Sequence, residues 1–95
     1  MAWRTTASAE EDIAALAAFG GIRYGGQRAA AYLSDLFDTF DLLADNPYLA
    51  RIREELRTRP RLYRYRAHNI FYTIDNEDVL VLRVLSNRQD WLHQL

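Results

Sequence analysis

Ninety-five residues are one domain, residues 1–95, able to bury roughly two-thirds of its unfolded surface in one core. A composition of 49% hydrophobic and 26% charged residues excludes a disordered chain, and the lack of cysteine excludes disulfides, thiolate zinc sites and cysteine nucleophiles. No apolar run approaches a membrane span and no basic-then-apolar leader opens the chain, so a cytoplasmic protein is expected. The net charge of −1 conceals a cluster. All twelve basic residues are Arg, and seven of them lie between Arg51 and Arg66 against only Glu54 and Glu55, a candidate docking band in an otherwise acidic chain.

In chain order, Trp3–Thr6 is a short β-prone opening that adds a strand to the sheet. Ser8 to Glu11 has the spacing of a capping box, with Ser8 as the N-cap, and three successive acids suit the positive end of a helix dipole. Ile13, Leu16, Ala17 and Phe19 are expected to face inward, and the helix is expected to end near Tyr24, before Gly25-Gly26. A second helix follows, with Ala29, Leu33, Leu36, Phe37, Phe40, Leu43 and Ala44 at three- and four-residue steps, stopped by Asn46-Pro47. Two helices joined at a glycine pair make a hairpin whose apolar faces need a sheet.

A basic connection from Tyr48 to Pro60 leads into three β-runs. Arg61–Arg66 and Asn69–Ile74 alternate with period two, separated by a hairpin-length link at Ala67-His68. Asp75–Asp78 makes a second turn, and Val79–Leu85 is apolar at every position except Arg83. A strand apolar on both faces belongs in the middle of a sheet. These runs predict a three-stranded antiparallel meander, with the remaining ten residues as a tail holding one helical turn.

The glycine pairs lack the spacing of a phosphate loop, and a chain without Lys lacks the P-loop lysine. Asp75–Asp78 lacks the glycine and distant Glu of a calcium loop, and His68 and His93 have no metal-ligand spacing. No cofactor and no metal are expected. His68 reads as a turn residue with a local hydrogen bond rather than a general base. The Arg band suits nucleic-acid phosphates, with Tyr63 and Tyr65 for stacking, or an acidic peptide; it also suits a solvated edge paired with nearby acids. Arg83 needs either a carboxylate inside the fold or a groove in which a ligand meets it.

Particular residues resemble the ParE branch of the ParE/RelE superfamily. Asp12-Ile13, Tyr24-Gly25, Gln27-Arg28-Ala29, Tyr32, Leu36, Leu43-Ala44 and Asn46-Pro47 resemble that family's helix hairpin. His68-Asn69-Ile70-Phe71-Tyr72 resembles its β-hairpin, and Arg83-Val84-Leu85 with Arg88, Asp90-Trp91 and Leu95 resembles its C-terminal signature. The resemblance spans the whole chain. It implies an α+β fold of order β-α-α-β-β-β, a helix hairpin packed on an antiparallel sheet.

It further implies a toxin of a type II toxin–antitoxin pair that inhibits DNA gyrase by binding. A ParD-like antitoxin silences such a toxin through an acidic C-terminal segment that folds onto it. On this reading the antitoxin contacts Arg57, Arg61, Arg64, Arg66 and Arg83, and the target is met by Arg88 and Trp91. RelE-like relatives instead cut mRNA on the ribosome, which places Arg64, Arg66, Arg83, Arg88 and His93 around the scissile phosphate; a plain nucleic-acid-binding module needs only the Arg/Tyr band. The chain departs from the nuclease pattern in carrying Trp91 where a terminal Tyr is expected and in having no Lys. It departs from the ParE pattern in carrying Ser86 where His is usual.

Overall fold

The computed structural model describes residues Met1–Leu95. The elements run β1 (Trp3–Thr5), α1 (Ala7–Tyr24), α2 (Gly26–Asp45), β2 (Arg61–Tyr65), β3 (His68–Asp75), β4 (Asp78–Ser86) and α3 (Trp91–Gln94). The sheet order is β1-β4-β3-β2, so β4 lies inside the sheet as its doubly apolar pattern requires. The meander is antiparallel as expected, but β1 runs parallel to β4, with Trp3 opposite Val79 and Thr5 opposite Val81. The sheet is therefore mixed rather than purely antiparallel. The long helical connection between β1 and β2 makes this direction accessible, since a parallel neighbour needs a crossover and not a hairpin.

The first helix starts two residues earlier than its capping box suggests. Thr6, not Ser8, is the N-cap: its hydroxyl accepts from the Ala9 amide at 3.0 Å and donates to the Leu82 carbonyl at 2.7 Å. Its own amide donates to Val81 O, so one residue ends the β1 ladder and begins the helix. The tertiary contact outweighs the local sequence preference. At the other end Gly25 joins α1 to α2 with φ 89° and ψ 156°, a backbone shape open essentially to glycine alone.

Two apolar layers flank the sheet. On one face α1 and α2 bury Ala9, Ile13, Leu36, Phe40 and Leu43 against Ile70, Tyr72, Val79, Val81 and Val84. Leu33 is half-buried there, and Phe37 is exposed at its margin, where its ring stacks on Trp3. On the opposite face Phe71, Leu85 and Leu56 form a smaller core, closed by Leu62, Leu82, Trp91 and Leu95. The 46–60 connection is tied to the fold by Tyr72, whose hydroxyl donates to Pro47 O at 2.9 Å, and by Arg51–Arg53 pairing along the outer edge of β2.

A bulge decides what happens at the end of β4. Phe71 pairs with Arg83 and Tyr72 with Val81, leaving Leu82 without a partner. The extra residue lets both Val81 and Val84 face the helices and turns the strand edge toward α1. β1 has already ended there, and α1 supplies the missing neighbour. Asp12 accepts from the Val84 amide at 2.9 Å, as Thr6 binds the Leu82 carbonyl.

Candidate functional site

The site is a groove of about 1260 Å³ between the hairpin tip and the ends of β3 and β4. One wall is α1, through Asp12, Leu16, Phe19 and Arg23; the next is α2, through Arg28 and Tyr32. The ends of β3 and β4 complete the lining through Arg66, His68, Ser86, Arg88 and Gln89, with His68 paired directly to Ser86. The apolar stripe of α1 outruns the sheet beneath it. Phe19, expected in the core, is 64% exposed and lines the groove, beside an exposed Tyr24.

The charge is one-sided. Arg23, Arg28 and Arg88 have no carboxylate within ion-pair distance, whereas Arg66 is 2.9 Å from Asp35. The Arg66 guanidinium lies over the rings of Tyr32 and Tyr65. The hydrogen bond to Asp35 raises its pKa, so it is a permanent cation. Asp12 contributes little free negative charge, because Arg83 holds it with Nε at 2.7 Å and Nη2 at 2.9 Å. That pair also raises the pKa of Arg83.

Of the two arrangements open to Arg83, the structure adopts the internal carboxylate. Its third contact is Nη1 donating to Gln94 Oε1 at 3.0 Å, so one guanidinium bridges α1 and the tail. The band from Arg51 to Arg66 does not form one surface. Arg61 is half-buried, donating to Ala50 O at 2.7 Å beneath the Tyr48 ring. Arg53 pairs with Glu55 and covers the Trp91 ring, and Arg59 pairs with Glu54. Arg51, Arg57 and Arg64 are exposed without carboxylate partners, Arg64 opposite Asn69 on the face away from the helices. Arg66 alone of the band reaches the groove.

Arg88 lines the groove, while Trp91 sits on the other side of the sheet against Phe71, 5.5 Å between ring centroids. His68 makes its hydrogen bond across 36 residues rather than locally: Tyr32 Oη lies 2.8 Å from its Nδ1, and burial lowers its pKa. Burial also raises the pKa of Tyr32. His93 is exposed and pairs with Asp90. Arg23 and Arg28 escaped the sequence reading because they stand outside the dense band. The available signal was their placement on either side of the glycine turn, which brings two cations to one hairpin tip.

The architecture is that of a small α+β domain with a basic, partly apolar groove, and no helix in it is long and apolar enough to cross a membrane. A family model described as the ParE toxin of the type II toxin–antitoxin system parDE matches residues 4–91. The chain is 35% identical over 69 residues to Toxin ParE1 of Mycobacterium tuberculosis, covering 72% of this chain and 70% of that protein. It is 32% identical over 71 residues to Toxin ParE3 of Caulobacter vibrioides, covering 75% and 71% respectively. The fold matches a solved structure of the chromosomal ParDE toxin–antitoxin system from P. aeruginosa with a TM-score of 0.72, at 18% identity over 90% of this chain and 95% of that one. The chain belongs to the ParE family of type II toxin–antitoxin toxins.

Proposed function

We propose that this toxin acts by binding, that its target is DNA gyrase, and that a ParD-like antitoxin silences it by laying an acidic, partly apolar segment in the groove. The observation that carries the antitoxin reading is the groove itself. Three unpaired guanidinium groups and Arg66 surround Leu16, Phe19 and Tyr24, a combination suited to a peptide with both carboxylates and apolar side chains.

Within this reading Arg57 and Arg64 extend the contact outside the groove, and Arg61 and Arg83 shape the surface from inside. Arg88, assigned to the target, also faces the antitoxin, so the two compete for it.

The test uses the antitoxin encoded next to the toxin gene. Replacing Arg23, Arg28 and Arg88 together by Glu should weaken its binding by up to about 150-fold at unchanged thermal stability, since each exposed pair contributes up to about 1 kcal/mol. Unchanged affinity refutes the groove assignment. Purified toxin should inhibit gyrase supercoiling, and the antitoxin should relieve it. Codon-phased mRNA cleavage with active gyrase would instead establish the endoribonuclease reading.

A further inference from the structure

His68 stands in the wall of the groove at the start of β3, opposite Tyr65 on β2 and Ser86 on β4. Its Nδ1 lies 2.8 Å from Tyr32 Oη, and the two rings meet edge to face with centroids 5.7 Å apart. Nε2 has no partner in the protein and is not sealed from solvent, so it is the nitrogen left to an occupant of the groove. A phenol oxygen can accept as well as donate. The Tyr32 contact is therefore compatible with an imidazolium as well as with either neutral tautomer.

Charged and titratable groups surround the imidazole on every side. The helices bring Asp12, Arg23 and Tyr24 from α1, and Arg28 and Tyr32 from α2. Tyr65 and Arg66 come from β2 and its turn, and Arg88 from the chain after β4. The nearby carboxylates are already held, Asp12 by Arg83 and Asp35 by Arg66. In the free toxin a positive charge on His68 meets partial burial and four guanidinium groups, and the imidazole stays neutral at pH 7. An anionic occupant reverses that balance, because it offsets the guanidinium charge and offers Nε2–H an acceptor. We propose that His68 is a fifth anion contact of this groove, taking up a proton as an anionic occupant binds, so that binding tightens as pH falls below neutrality. The inference rests on the groove receiving such an occupant. Its sign follows from linkage: a group whose pKa rises on binding strengthens that binding as pH falls through the bound-state value, and the gain is complete below the free-state value.

Dextran sulfate serves as the probe, since its charge is constant between pH 5.5 and 7.5. By calorimetry at fixed low salt, its Kd for the unmutated chain should fall about tenfold from pH 7.5 to 5.5. His68→Gln should lose most of that change, whereas His93→Gln, which removes the exposed second histidine, should keep it. No change in the unmutated chain, or the same change in His68→Gln, overturns the proposal. NMR titration of the His93→Gln protein, where His68 is the sole imidazole, provides a second measurement should His68→Gln fail to fold. The pKa of His68 should rise when dextran sulfate is added, and an unmoved or lowered value overturns the proposal. Replacing Arg23, Arg28 and Arg88 together by Glu separates this inference from the reading beneath it. Probe binding unaffected by that replacement overturns both; binding weakened by it but independent of pH overturns only the role of His68.

Discussion

Replacing Asp12 by alanine removes two interactions at once. The Arg83 guanidinium loses its counter-ion, and the Val84 amide loses its acceptor at a strand edge that β1 does not reach. The pair is largely withdrawn from water, with side-chain exposures of 20% for Arg83 and 11% for Asp12. Stripping one partner from a fully buried ion pair costs about 3–5 kcal/mol, and an unpartnered buried amide costs about 1–3 kcal/mol. Gln94 and some solvent remain available to Arg83, which places the loss at about 3 kcal/mol overall. For a chain of this size that lowers the melting temperature by about 12–24 °C.

Asp12→Asn keeps an oxygen for Val84 and should lose only about half as much. The surface cluster of Arg4 with Asp75 and Asp78 provides the contrast, and Asp75→Asn should leave the transition where it is. Urea unfolding followed by far-UV circular dichroism measures all three. A loss below about 1 kcal/mol for Asp12→Ala would refute the view that this carboxylate closes the sheet edge.

Thr6→Ala should cost about 1–2 kcal/mol, because the hydroxyl serves both Ala9 and Leu82, while Ser8→Ala should be silent; chemical denaturation ranks the two, and the reverse order would restore Ser8 as the cap. Gly25→Ala should cost more than about 1 kcal/mol from its positive φ alone, since an added Cβ there meets no neighbouring atom. His68 should titrate by NMR below the ordinary histidine value because burial disfavours its charged form. A group whose folded pKa is depressed contributes stability that is fully present above the unfolded pKa of about 6.5 and is lost as pH falls through the folded value. Tyr32→Phe should move that titration by removing the hydroxyl from Nδ1 while leaving the sheet intact; an unmoved His68 resonance would mean that the contact does not persist in solution.

Much of the architecture was legible residue by residue. Period-two alternation in Arg61–Arg66 and Asn69–Ile74, the unbroken apolar run from Val79, and the stripe from Ala29 to Ala44 are local patterns. They mark the strands, the central place of β4 and the buried face of α2 without reference to any distant residue. Gly25-Gly26 likewise marks the hairpin turn, since a positive φ is a property of one residue's own backbone. The family resemblance rests on the same short motifs in their order along the chain.

The tertiary structure decided everything that depends on which distant residues meet. Thr6 displaced Ser8 as the cap because β4 presents the Leu82 carbonyl there, 76 positions away. Arg83 found Asp12 across 71 positions, at a bulge that no periodicity announces. The dense arginine band was dispersed, because successive residues on a strand point to opposite faces and two of its loop arginines, Arg53 and Arg59, found acids close by. The groove instead drew Arg23, Arg28, Arg66 and Arg88 from four separate stretches of chain. Propensity and patterning act over a few residues and can be read in sequence; a binding surface is assembled by packing, and its members become neighbours only when the chain has folded.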